Sequence, residues 1–163
     1  MINLESFKKK AADKSVENKK FLLNLKKKDP RKVDDAFHQM HDEVFEEIDC
    51  LTCANCCKTT SPIFYQRDVD RASKGLRMKP GDFIEKYLKV DEDNDLVLKQ
   101  SPCAFLMPDN YCAIYEDRPL ACREYPHTNR KKMQQIMDLT FRNTLVCPAV
   151  LRITNKIKSQ LGL

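Results

Sequence analysis

The chain has 163 residues, 42% hydrophobic and 33% charged, with a formal net charge of +5. That is enough for one modest core with an appended arm. Its three glycines, Gly75, Gly81 and Gly162, cannot build G-x-x-x-x-G-K or G-x-G-x-x-G, which excludes Walker-type nucleotide binding and the dinucleotide fingerprint.

Taken in order, residues 1–29 read as a lysine-rich helical arm of one or two short helices. Phe21, Leu22, Leu23 and Leu25 form a small apolar patch there that can dock on the main body. The lysine runs of this arm have no interleaved aromatic residues, which stacking on single-stranded bases requires. A solvated face is therefore the favoured reading, and contact with nucleic acid or an acidic protein partner the less favoured one. Asp29-Pro30 is a helix start, with Asp as cap and Pro at the first helical position. Val33, Phe37, Met40, Val44 and Ile48 then recur every three or four residues, so this helix has one apolar face. A short extended piece is expected over 59–65. Beyond it, Asp68 is read as capping a helix that ends at Gly75, and Pro80 as opening another with Phe83, Ile84, Tyr87 and Leu88. The acidic segment 91–95 reads as a turn before a strand-like Leu96-Val97-Leu98. Pro108-Asp109-Asn110 makes a tight loop that brings Cys103 near Cys112. Arg118-Pro119 starts a short helix through Cys122. Met133, Ile136 and Met137 mark a further helix, and Pro148 opens the last, with Val150, Ile153, Ile157 and Leu161.

Chemistry concentrates in the cysteines. Cys50, Cys53, Cys56 and Cys57 fall in a C-x-x-C-x-x-C-C run, and Cys103, Cys112, Cys122 and Cys147 follow. No stretch approaches the roughly 20 apolar residues of a membrane span, and the start of the chain lacks the apolar run of a signal peptide. No membrane is expected as a partner, and the expected location is the cytoplasm, where thiols stay reduced and clustered cysteines mean metal more often than disulfide. Thiolates two residues apart can converge on one ion. Four donors complete a tetrahedral zinc site or hold one four-iron cluster, so eight suffice for two sites. The C-x-x-C-x-x-C spacing is that of three corners of a bacterial ferredoxin cluster, whose remaining corner is a cysteine followed by proline; Cys147-Pro148 is a distant echo. This tilts the reading towards iron–sulfur over zinc. On an extended backbone Cys56 and Cys57 point to opposite sides, so one is expected at each of two sites, as a spectator, or as a bridge. Lys58, Arg118 and Arg123 lie beside cysteines and can neutralise a thiolate site from behind its ligands. His127 can replace one cysteine. His38 and His41, three apart without an H-E-x-x-H pattern, read as surface residues.

The combination resembles the YkgJ-type cysteine-cluster family, a zinc- or iron-chelating domain with the signature C-x-x-C-x-x-C-C. The likeness continues through Pro102-Cys103-Ala104-Phe105-Leu106, Cys112-Ala113-Ile114-Tyr115-Glu116-Asp117-Arg118-Pro119 and Cys122-Arg123-Glu124-Tyr125-Pro126. It covers residues 50–126 and Cys147. Two departures stand out: Ala54 where relatives often carry glycine, and Tyr125 where they carry phenylalanine. Asn55 is expected to supply the left-handed turn one position later. The resemblance implies chelation of zinc or iron and no settled reaction.

The expected fold is therefore mainly α, with small irregular or β segments, organised around a cysteine-ligated metal site. Residues 1–29 are the arm and 30–163 the metal-binding domain. The expected function is a redox or accessory protein holding an iron–sulfur cluster or iron through cysteine thiolates. The alternatives are a structural-zinc module contacting nucleic acid or protein, and a metal-buffering protein.

Overall fold

A computed structural model describes residues 2–161, and over them the chain is mainly helical. It divides into two compact units: one made by the chain up to Cys53 together with the chain from Pro126 onward, the other by Ala54–Tyr125. Among the described residues no helix is long and apolar enough to cross a membrane.

The first unit is a helical assembly. Helix α1 spans Leu4–Asp13, and Asn3 caps it by accepting from the Ser6 N–H at 2.9 Å. Helix α2 spans Ser15–Leu25. Helix α3 spans Pro30–Glu47, and the Asp29 carboxylate accepts from the N–H groups of Arg31 and Lys32, as the Asp-Pro pair predicts. The apolar stripe of α3 is buried at Val33, Phe37, Met40 and Val44. It packs with Phe21, Leu22 and Leu25 of α2, so three of the four apolar residues expected to dock do so, while Leu23 stays exposed.

The rest of this core comes from the C-terminal third. A 3-10 turn over Met133–Ile136 leads into α8, Met137–Thr144; the sequence reading treats these as one segment. Pro148 opens α8's successor, α9, over Pro148–Leu161. Met133, Met137, Ile153 and Ile157 are fully buried in the core, each contributing roughly 1.5–3 kcal/mol by removal from water. One polar tie crosses it. Lys158 is buried and reaches the Glu17 carboxylate at 2.6 Å and the Asn18 side-chain oxygen at 2.7 Å.

The second unit carries the small β component. Helix α4 spans Asn55–Thr59, α5 Gln66–Gly75, α6 Pro80–Tyr87 and α7 Leu120–Glu124. Strand β1, Leu88–Val90, pairs antiparallel with β2, Leu96–Leu98, in the register Leu88↔Leu98. The turn forms where the acidic run predicts it: the Asp91 carboxylate accepts from the N–H groups of Asp93 and Asp95. The sequence reading has β2 but gives Leu88 to a helix and misses β1. Leu88 is buried both as the end of an amphipathic helix and as the start of this strand, so its apolarity does not separate the two. Phe83 stacks on Phe105 with ring centroids 6.0 Å apart and centres a core with Phe64, Val69, Leu98 and Ile114.

One detail of α5 differs from expectation. Tyr65, not Asp68, is the capping position, and Asp68 stands three residues in, accepting from the Tyr65 N–H at 3.1 Å. Gly75 does end the helix, but the left-handed residue is Arg77. A Cβ at Gly75 would lie 2.1 Å from an Asp117 carboxylate oxygen, so that glycine admits a neighbouring side chain.

Candidate metal centre

All eight cysteines are thiols, and local structure holds them in place. Cys50 opens a 3-10 turn, Cys50–Thr52, whose start is capped by the Asp49 carboxylate accepting from Leu51 N–H. Cys53 follows it and is buried. Ala54 then takes the left-handed conformation, φ 48° and ψ 24°, and turns the chain into α4. The expectation that Asn55 supplies this turn is corrected: Asn55 is already the first helical residue, and the left-handed angle falls on Ala54.

Cys56 and Cys57 both lie on α4. Consecutive helical side chains diverge by about 100° rather than 180°, and the two sulfurs are 4.0 Å apart. The opposed arrangement expected from an extended backbone does not arise, because this segment is helical.

In the second unit Cys57 is tied to a distant segment: its carbonyl accepts from the Cys103 N–H at 2.8 Å. Cys103 and Cys112 flank the turn expected between them. Met107 N–H donates to Tyr111 O, Asn110 N–H to Met107 O, and Leu106 bridges to Cys112. Cys122 rides on α7, which Asp68 positions. Buried within the unit, the Asp68 carboxylate accepts from Leu120 N–H at 3.0 Å and pairs with Arg71 at 2.6 Å, while Arg71 also donates to the Arg118 carbonyl at 2.9 Å. Sequence reading gave Asp68 a capping role only; its Asp-x-x-Arg spacing on a helix was the available signal.

Electrostatics divide the thiols into two sets. Burial pushes Cys122 up to about 12, and the fields of Cys57, Cys103 and Cys112 add to that shift while Arg118 opposes it. Burial likewise raises Cys103, where N–H groups of Phe105 and Leu106 oppose it and Cys57 and Cys112 reinforce it. Cys112 is raised by burial too, with the Ile114 N–H and Arg118 acting the other way and Cys57 adding to the rise. Cys57 moves in the opposite direction, down to about 7: its hydrogen bond with the Cys56 side chain lowers it and Lys58 adds a favourable field, against burial. Cys57, Cys103, Cys112 and Cys122 thus sense one another.

The other set is in the first unit. Burial raises Cys147 to about 11, Cys50 and Cys53 push it further, and the N–H groups of Val150 and Ala149 oppose them. Cys147 precedes Pro148 at the start of α9, so its sulfur faces the open amides of that helix. The Cys147-Pro148 echo is therefore a spatial neighbour of Cys50-x-x-Cys53.

Among the described residues, no group of three or more Cys, His, Asp or Glu side chains is arranged to hold a metal ion. The helices are organised by two apolar cores, and the organisation around a cysteine-ligated metal site expected from the sequence is not shown. The physical reason lies in the thiols: buried sulfurs that raise one another's pKa repel when ionised and gain nothing by converging without a cation. Their chemistry nonetheless fits a thiolate-bound metal, since all eight are thiols and backbone N–H groups are directed at three of the sulfurs, one at 3.4 Å from Phe105 to Cys103.

The three flanking cations do different things. Lys58 and Arg118 act on thiols as just described. Arg118 also stacks 3.8 Å above the Tyr115 ring centroid and bonds the Tyr115 carbonyl. Arg123 donates to the Arg118 carbonyl at 3.0 Å and to that of Glu116, bracing the loop before α7. His127 has a left-handed backbone, φ 66°. His38 and His41 are half-buried rather than surface residues: His38 Nε2 donates to the Arg130 carbonyl at 2.8 Å, and His41 Nδ1 pairs with the Thr128 hydroxyl at 2.8 Å.

Comparison with known proteins agrees with the spacing. The family model "CxxCxxCC: Putative zinc- or iron-chelating domain" matches residues 49–140. No curated protein and no solved structure matches the chain. With the signature and more than half the chain inside that match, the protein belongs to the CxxCxxCC family of zinc- or iron-chelating domains.

Proposed function

We propose that this chain is a thiolate-based metal protein that holds iron as an iron–sulfur cluster and serves as a redox or accessory protein. Cys57, Cys103, Cys112 and Cys122 would hold one centre. Cys50, Cys53 and Cys147 would contribute to metal binding in the other unit, and Cys56 stands beside Cys57. A bound cluster supplies one-electron chemistry. The chain's own residues supply the rest: N–H groups of Phe105, Ile114, Ala149 and Val150 directed at sulfurs, and the positive charges of Lys58 and Arg118 opposing accumulated thiolate charge. Arg123 steadies the loop that carries Arg118.

The observation that carries this reading is the family match over residues 49–140, within which the Cys57 carbonyl accepts from the Cys103 N–H and Leu106 bridges to Cys112, tying three thiol-bearing segments of one unit together. Thiols contributed by separate segments of one unit are explained by a cation that would hold them as thiolates. Iron–sulfur is preferred because hydrogen bonds to the sulfurs are a main control of cluster potential and because Cys147-Pro148 joins Cys50 and Cys53. A structural zinc is the second reading, favoured by the count of four, which closes a tetrahedral site.

The test is elemental analysis with an absorption spectrum on tagless, anaerobically purified protein and on its Cys122→Ser and Cys147→Ser variants. Iron, acid-labile sulfide and a broad band near roughly 400 nm are expected, with Cys122→Ser losing most of the metal of the four-thiol set. Colourless protein with integral zinc would replace the redox reading by the structural one. Unchanged metal in both variants would remove the thiol assignment altogether.

A further inference from the structure

Lys27, Lys28, Arg31 and Lys32 surround the corner between α2 and α3, and Arg130, Lys131 and Lys132 follow far along the chain. The fold fastens these segments together. On α3 the Asp34 carboxylate accepts from the N–H groups of Lys132 and Met133, both at 2.8 Å. The Gln134 amide donates to the Leu25 and Lys28 carbonyls at 2.7 and 2.6 Å, and the His38 ring holds the Arg130 carbonyl. All seven cations are exposed. Among the described residues none of the seven is in an ion pair, whereas Lys8 and Lys26 are.

The nearby carboxylates have other work. Asp29 and Asp34 accept from backbone N–H groups, and Asp138 pairs with Lys26 at 2.6 Å. With exposed Asp35, Asp29 and Asp34 subtract three charges from the seven and leave a positive excess of four. Apart from Leu23 at its margin, the patch has no exposed large apolar side chain. It therefore lacks the wedge that a membrane surface or a protein hot spot requires and the aromatic face that single-stranded bases require.

We propose that this corner is a docking surface for the phosphate backbone of double-helical nucleic acid, gripped without reading sequence. Long, mobile cations on two fastened segments suit phosphates repeated at short spacing on two strands, and affinity of this kind comes from released counterions. The patch is invisible in either segment alone, since each run by itself reads as a solvated face.

The experiment is fluorescence anisotropy of the full, metal-loaded chain with a labelled DNA duplex of mixed sequence. Binding is expected at about 50 mM salt, weakening steeply by about 200 mM, with a log–log slope of about −4 for some four to five neutralised phosphates. K27Q/K28Q/R31Q/K32Q and, separately, R130Q/K131Q should each weaken binding by about tenfold at about 50 mM salt. K8Q/K9Q/K10Q, a run of three lysines elsewhere, should change it by less than about twofold. These are surface changes in separate segments, and thermal melts of each variant report that the fold is intact. Equal weakening by the control run would reduce the effect to net charge and overturn the proposal. So would absent binding at low salt, or tighter binding to anionic lipid vesicles than to the duplex.

Discussion

Ala54 holds a backbone conformation that costs an L-residue with a Cβ roughly 1–2 kcal/mol and glycine almost nothing. It does so at the point where the chain passes from Cys53 into the helix of Cys56 and Cys57. Ala54→Gly should therefore stabilise the protein by about 0.5–1 kcal/mol after glycine's entropy cost is subtracted, read as a raised urea midpoint with unchanged slope. Asp68 works in the other direction. Asp68→Ala strands Arg71 and two backbone N–H groups, so a loss of about 3 kcal/mol is expected. Because Asp68 positions the start of α7, metal content should fall with it although no thiol is touched. Full metal content in a destabilised Asp68→Ala protein would separate α7 placement from the centre. The left-handed Ala54 shows itself only when φ is known, and for Asp68 the Asp-x-x-Arg spacing signals the pairing with Arg71 but not the burial.

At the scale of elements, local signals were strong and were realised. Asp29-Pro30, Pro80 and Pro148 each open a helix, and the periodicity of α3 is its buried stripe. The failures share a cause, competition between local preference and a partner elsewhere. Strand β1 exists because β2 lies beside it, and Gly75 is needed because Asp117 occupies its missing Cβ. Histidine behaviour also belongs here, since His41 joins α3 to the segment before α8. Burial lowers the His41 pKa, with His38 acting the same way and Asp42 opposing. The folded state thus prefers the neutral ring. As pH falls through about 7 to 5 the unfolded chain takes up the proton first, and stability declines. His41→Gln should flatten that part of the melting-temperature profile. A slope identical to that of the parent protein would show that His41 does not contribute to it.

For the whole molecule, the proposed metal binding would be linked to folding, because an ion held by thiolates from separate segments binds the folded state better than the unfolded one. At free metal about 100 times the dissociation constant the expected gain is ~2.7 kcal/mol, or roughly 5–10 °C in melting temperature at this size. A chelator that strips the metal should remove that increment, and scanning calorimetry with and without it measures the difference; identical melts would mean that metal and fold are independent. The sequence by itself determined the helical content, the Asp29 cap, the turn between Cys103 and Cys112, and membership of a thiol-rich chelating family. These rest on spacing and on residues a few positions apart, where chain connectivity dictates geometry. Tertiary structure decided which thiols are neighbours: Cys57 with Cys103, Cys112 and Cys122, and Cys147 with Cys50 and Cys53. It also brought Arg130, Lys131 and Lys132 to the corner of α2 and α3. Such groupings depend on how two apolar cores fold distant segments back on each other, and no local propensity encodes that distance.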